Sequence, residues 1–496
     1  MAGALSARPP AVSEWIVGGR ARLAVPFCLI FAWCACDSTE RVRSTHADAG
    51  DAGDAGGGGG SDTGADAGQV PIWLAYVTAD PTTPELLVVD VAAPDKPPLL
   101  LLQGAVELSW TKDGRWLSAE LDQKQSALID FTLAQPGPAT LLELAGARAH
   151  GCVPAPSSKR LACVLGEGAA QAPALVDLTG TKPVVTQVAG ATFPAGSSPF
   201  AGWSPDSRYA LYLALNSASA FQLVVVDSDA EGPAATLVST SALGLAVSPD
   251  SKHLAYSEQT PSPRLLIRDL ATGGTAQVSA ESPSQGAFAW TTQGTALVYM
   301  SASALLSHAP AIAQSVVVHP GPVGNLMVSP DGTRAVFEAW SEPGVVLLDA
   351  QFFPPQKAGT LPGAPFCWSS PGRYLAVFTA PFLSLVDLDA PMAPAKRLSP
   401  GNLAPNGCKF QGETGVTWFS FVNPVIGVAK GPAWEGAELV AAPGGFATPS
   451  FSWTSDLERL AFRDLDGSQL QLAEHFPAPV VTTLTSEAVS SFAFRP

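Results

Sequence analysis

From Trp73 onward the chain alternates short apolar runs with turn residues, and one phrase returns along its length. VELSWTKDGRWLSAE, FAGWSPDSRYALYLA, LAVSPDSKHLAYSE, FAWTTQGTALVYMS, LMVSPDGTRAVFEAW, FCWSSPGRYLAVFTA and FSWTSDLERLAFRD each hold an apolar run, a large residue, a tight turn and a second apolar run. GCVPAPSSKRLACVL and CKFQGETGVTWFSF are weaker copies, and SFAFRP is a copy that stops before its turn. The residue before each turn falls at Trp110, Cys152, Trp203, Val247, Trp290, Val328, Trp368, Phe410, Trp453 and Phe494, at separations of 38 to 51 residues.

Each period predicts four strands. The first ends at the large residue, and Pro-Asp-Gly or a variant turns the chain, proline presetting φ and glycine accepting a left-handed angle. The second is the apolar run that follows. The third is an aliphatic string closing in aspartate: LLVVD, SALID, ALVD, LVVVD, LLIRD, VVLLD and LSLVD. The fourth is spaced by Pro and Gly. Apolar residues at consecutive positions require both faces of a strand to be covered. A period near 40 to 45 residues with four short strands is the pattern of propeller blades. The expected fold is therefore all-β, a β-propeller of four-stranded antiparallel blades spanning residues 70–496. About ten repeat units are expected, with the ring closed by pairing the N-terminal strands IWLAYVT and ELLVVDV with the C-terminal SFAFRP.

The S-P-D-G/S phrase, with a large residue before it and an aliphatic-Asp strand after it, resembles the TolB-like, WD40-like β-propeller repeats of the bacterial cell envelope over Pro71 to Pro496. That resemblance implies the fold and an envelope address, and it leaves the task of the blades open. TolB carries an α/β domain before its propeller, whereas the residues before Pro71 are expected to be signal and tether, so the partners of TolB are not carried over.

Composition changes the picture in two ways. Charged residues are only 14% of the 496, and the mean hydropathy is +0.21, as buried strands require. The formal charge of −16 and pI near 4.7 disfavour nucleic acid, whose phosphates an acidic surface repels.

The N-terminus reads as an address. Arg20 and Arg22 precede the apolar core Leu23 to Ala35, which is short for a membrane span, so residues 1–35 are expected to be a signal peptide, initiating in fact at Val17. The core ends in AWCAC, which resembles a bacterial lipobox with Cys36 as the lipidated residue. Residues 36–69 hold that cysteine and an Asp/Ala/Gly-rich tether without the apolar residues needed to order it. The expected membrane contact is the lipid anchor alone, facing the periplasm or outside, with simple secretion as the alternative. Cys152, Cys163, Cys367 and Cys408 then remain, an even number that an oxidising compartment permits to form two bridges or leaves as buried thiols.

Chemistry is sparse. The chain has no G-x-S-x-G elbow and no H-E-x-x-H, and His46, His150, His253, His308, His319 and His475 are scattered singly. No catalytic, cofactor-binding or metal-ligating residue is expected. The acids are more informative. Asp90, Asp130, Asp177, Asp227, Asp269, Asp349 and Asp387 close third strands, and Asp113, Asp206, Asp250 and Asp331 sit in the first turns. In up-and-down sheets both sets fall on one rim, where aspartate fixes turns by bonding backbone N–H groups. The second set also forms a candidate docking rim for another envelope protein with a basic surface. The expected function is a non-catalytic protein-binding module or scaffold. A channel-centred lyase or glycosidase and a structural spacer are the alternatives, the enzyme being disfavoured by innermost strands that read LGLAV, FAW, NLMV and FSW.

Overall fold

The computed structural model describes residues 71–496 apart from short stretches, the longest of them 441–450. The leader, Cys36 and the tether lie outside the described residues. What is described is all-β and antiparallel. The Trp110 unit sets the pattern: Ala105–Trp110, Trp116–Leu121, Gln125–Asp130 and Thr140–Leu141 pair in chain order as one four-stranded sheet. The Trp290, Val328, Trp368, Phe410 and Trp453 units repeat it. Ala235–Val247, thirteen residues long, is the fourth strand of the Trp203 unit and then the first of the Val247 unit, so those two share one seven-stranded sheet. The Cys152 unit forms a five-stranded sheet, its four strands extended by the short Glu143–Leu144, and the last sheet joins distant parts of the sequence. Trp73–Thr78 pairs on one side with Glu85–Asp90 and on the other with Val489–Phe494, with Leu74 opposite Phe494.

The interior strands are buried along nearly their whole length, as the consecutive apolar residues require. Leu117, Leu128 and Ile129 are fully buried, and each such side chain contributes roughly 1.5–3 kcal/mol by leaving water. Apolar side chains pack one sheet on another. Ala162, Val164 and Phe193 meet Trp203, Tyr212 and Val224 of the next unit. One face of the first sheet, Ala75, Val77 and Leu86, packs on Trp110, Leu117 and Ile129. Its other face, Leu74, Tyr76 and Val89, packs on Ala461, Leu470 and Leu472.

One anchor moves. In the third unit the turn is closed by Ala155 N–H donating to Arg160 O and Ser158 N–H to Ala155 O, and Pro154 stands opposite Leu161. Pro154, not Cys152, therefore occupies the place of Trp110. The anchors also have a polar role. The indole N–H groups of Trp110, Trp203 and Trp290 donate to the carbonyls of Ala493, Val153 and Ala246, at 3.2, 2.9 and 2.8 Å. Each carbonyl lies one residue before the anchor of the preceding unit, so every such bond ties two sheets.

The four cysteines form bridges. Cys152 and Cys163 join the first two strands of one unit, with Cα atoms 4.2 Å apart. Cys367 and Cys408, with Cα atoms 5.8 Å apart, join the first strands of two successive units.

Candidate partner-binding edge

The strand register brings the two sets of aspartates to one end of the sheets. Asp130, Asp227 and Asp387 stand opposite Trp116, Tyr209 and Tyr374, the first residues after the turn in each unit. The turns themselves are built alike. Asp206 Oδ1 accepts from Ser204 Oγ at 2.6 Å and from Arg208 N–H at 3.0 Å, while Ser204 Oγ accepts from Tyr209 N–H at 2.8 Å. Asp250 and Asp331 accept from Ser248 Oγ and Ser329 Oγ, both at 2.6 Å, and Asp113 from Thr111 Oγ1 at the same distance. A short acceptor side chain is what lets the turn satisfy its own N–H groups.

Adjacent turns are also coupled. Ser158 and Ser251 hold left-handed φ of 59°, and their hydroxyls accept from the backbone N–H of Asp113 and Asp206 in the preceding unit, both at 3.0 Å. Where the next unit offers glycine, the contact is steric. A Cβ on Gly294 would lie 2.6 Å from Asp250 Oδ1, and one on Gly372 would lie 2.9 Å from Asp331 Oδ1. The turn aspartates are thus fixed from both sides.

The strand-end acids bond the chain that follows them. Thr179 N–H and Oγ1 donate to Asp177 at 2.8 and 2.6 Å, and hold its carboxyl below the usual range. Asp269 is lowered in the same way by the Thr272 amide and hydroxyl, at 2.7 and 2.9 Å. The Arg373 guanidinium lowers Asp387, with Nη2 2.8 Å from Oδ2. Burial works to raise Asp227, but the bonds from Arg208 and the Asp229 amide outweigh it, so this carboxyl too lies below its usual range.

Bases stand among these acids. Arg208 pairs with Asp227, Arg160 with Asp229, Arg334 with Asp389 and Arg115 with Asp130, at 2.7, 2.5, 2.8 and 3.6 Å. Position explains it. The bases follow the turns, in KDGR, SPDSR, SPDSK and SPGR, and so face the strand-end acids across the sheet. The guanidiniums of Arg115, Arg208 and Arg373 also lie over the rings of Trp116, Tyr209 and Tyr374, 4.9 to 5.0 Å from the centroids. The rim is a mixed-charge surface. Asp113 and Asp206 are its exposed acids among the four turn residues, and Asp250 and Asp331 are half-buried.

The first strands carry more polar groups than LGLAV or FAW indicates. Ala105–Trp110 bears Glu107, Ala147–Pro154 bears Arg148 and His150, and Pro405–Gln411 bears Lys409. Glu107 stands opposite Glu120 in a cleft shared with Ser109, Ser118, Ser126 and Gly151. Glu120 accepts there from Ser126 Oγ and Gly151 N–H, at 2.6 and 3.0 Å. Of the histidines, His150 Nε2 lies 3.0 Å from Gly166 O and His308 Nδ1 2.8 Å from Ser315 Oγ, and burial lowers the His308 pKa. His253 stacks on Trp290, His319 lies against Phe337, and His46 and His475 fall outside the described residues. Among the described residues, no three His, Cys, Asp or Glu side chains gather as a metal site.

No family model matches the sequence, and no curated protein matches it either. Solved structures resemble the chain at low identity. A eukaryotic initiation factor aligns at 13% identity and TM-score 0.48, over 86% of this chain and 99% of its own. TolB from Acinetobacter baumannii aligns at 15% identity and TM-score 0.26, over 51% and 66%. An oligogalacturonate lyase in complex with manganese aligns at 15% identity and TM-score 0.34, over 54% and 86%. With these scores, the assignment of the architecture rests on the strand pairing: consecutive four-stranded antiparallel sheets, each packed on the next.

Proposed function

We propose that the sheets form a ten-unit β-propeller and that the protein is a non-catalytic binding module or scaffold, held at the bacterial cell envelope by lipid on Cys36. Closure of the ring is supported by the pairing of Trp73–Thr78 with Val489–Phe494 and by packing of the first sheet on both the Trp110 and the Trp453 units. The binding role is carried by one observation: Asp113, Asp206, Asp250 and Asp331 are set in near-identical turns and fixed by their neighbours. A rigid, repeated edge offers fixed carboxylates to a basic protein surface without an ordering cost on binding.

The test separates charge from turn structure. Asn keeps the Oδ1 acceptor that each turn uses, so a variant with Asp206, Asp250 and Asp331 all changed to Asn should fold as the parent does. It should recover less of the crosslinked envelope partner, with a flatter salt dependence, because fewer charges steer the encounter. Undiminished recovery by a well-folded triple variant would reject this edge as the docking surface. A channel-centred lyase or glycosidase is the second reading, and the facing pair Glu107 and Glu120 favours it. Polysaccharide cleavage that is lost on changing both residues to Gln would establish it.

A further inference from the structure

At the opposite end of the sheets from the turns, Trp340 is 77% exposed, the most exposed of the large apolar side chains described. It follows the strand Arg334–Ala339, and its Nε1 would lie 3.7 Å from a Cβ placed on Gly324. Gly324 in turn stands opposite Glu338 in the register, and Glu338 and Trp340 are two residues apart along the chain. The strand beside them departs from regular pairing between Gly324 and Met327, and Asn325 there takes φ +50°. Asn325 Nδ2 donates to Glu338 Oε2 at 2.7 Å. Among the described residues no basic side chain pairs with Glu338, whereas Glu342 is paired with Lys357 at 2.6 Å.

The contact of this unit with the next also lacks a bond that is made at three other anchors. The buried Trp368 indole, the next anchor, has no hydrogen-bond partner, unlike Trp110, Trp203 and Trp290. An exposed tryptophan, a left-handed asparagine and an orphaned indole are each unfavourable for stability, and such departures gather where a chain serves a partner.

We propose that Trp340 and Glu338 form a receptor for an arginine side chain of a partner protein, the guanidinium lying on the indole face and bonding the carboxylate. Charge and ring together select the occupant. A planar cation gains both from the π face and from an anion without a basic partner. The chain already makes this pairing within itself: arginines lie over Trp116, Tyr209, Tyr374, Phe382 and Phe131. Trp340 has no such cation over it among the described residues. The proposal is independent of the aspartates on the other edge.

The probe is the peptide acetyl-Gly-Arg-Gly-amide, titrated into the full chain while the indole N–H resonance of Trp340 is followed, assigned by its loss in Trp340→Phe. A saturable shift is expected, weakened by salt and absent with acetyl-Gly-Gln-Gly-amide. Glu338→Gln should weaken the affinity about two- to five-fold, the range of an exposed ion pair. Equal shifts from the glutamine peptide, or unchanged affinity in Glu338→Gln, overturn the proposal. A shift produced by a chitin oligosaccharide and not by the arginine peptide overturns it too, in favour of a sugar platform. Glu338→Gln keeps an acceptor for Asn325 Nδ2 and should melt as the parent does, so a weakened response there cannot be ascribed to unfolding.

Discussion

The anchor tryptophans offer a controlled comparison at the residue scale. Trp290 donates its indole N–H to Ala246 O at 2.8 Å, whereas the buried Trp368 indole has no partner. Changing each to Phe removes the same atoms, but only Trp290→Phe leaves a carbonyl without its donor. It should cost about 1–3 kcal/mol in urea unfolding, while Trp368→Phe should cost distinctly less, since no bond is lost there. Equal losses would show that indole volume rather than the hydrogen bond couples the sheets. The strand-end acids predict a pH dependence. Asp177, Asp227, Asp269 and Asp387 are lowered in the fold, so the unfolded chain binds protons before the native one does. Their contribution is fully present above the ordinary aspartate range and is lost as pH falls through the lowered values. The melting temperature should therefore drop on acidification below that range, and Asp387→Asn should flatten the drop. The groups are well solvated, so the change per residue is small.

At the scale of the element, the two bridges differ in reach. Cys367–Cys408 closes 41 residues and ties successive units, while Cys152–Cys163 closes 11 within one unit. Loop-closure entropy assigns roughly 3–4 kcal/mol to the longer bridge and somewhat less to the shorter. Removing the longer one by paired Ala substitutions should lower the unfolding midpoint more than removing the shorter. The reverse order would mean that the short bridge carries native packing as well. The third strands were legible in the sequence because they are mostly aliphatic at consecutive positions and stop at Asp, a pattern that burial on both faces imposes. The anchor of the Cys152 unit falls two residues later, at Pro154, because the turn is defined by the hydrogen bonds of Ala155 and Ser158, which the weak repeat there does not reveal. The balancing bases were visible in SPDSR and KDGR, but their effect required the cross-strand register. Trp340 carried no sequence signal, because its exposure follows from the turn after Ala339 and the irregular strand beside it.

At the scale of the whole molecule, the junction between distant strands carries bonds from Arg495: its Nε donates to Gly114 O at 2.8 Å and its Nη2 to Phe131 O at 3.2 Å. Gly114, at φ +66°, has Arg495 Cγ 3.0 Å from where a Cβ would stand, so the two units meet without a gap. Deleting Ser491–Pro496 should strip these bonds, expose the edge of Trp73–Thr78 and lower the unfolding midpoint sharply. A truncated chain that melts like the parent would show that the junction is dispensable. Arg495→Ala should give a milder loss by removing the side-chain bonds alone. The same junction sets the order of events during synthesis. Ser490 and Val77, which share a bond at 3.3 Å, are 413 residues apart. On the ribosome, Trp73–Thr78 emerges long before its partner exists, and its apolar edge must wait while the intervening sheets assemble. In that interval the unpaired strand is open to pairing with a wrong neighbour, a hazard that lasts until the final strand takes its place.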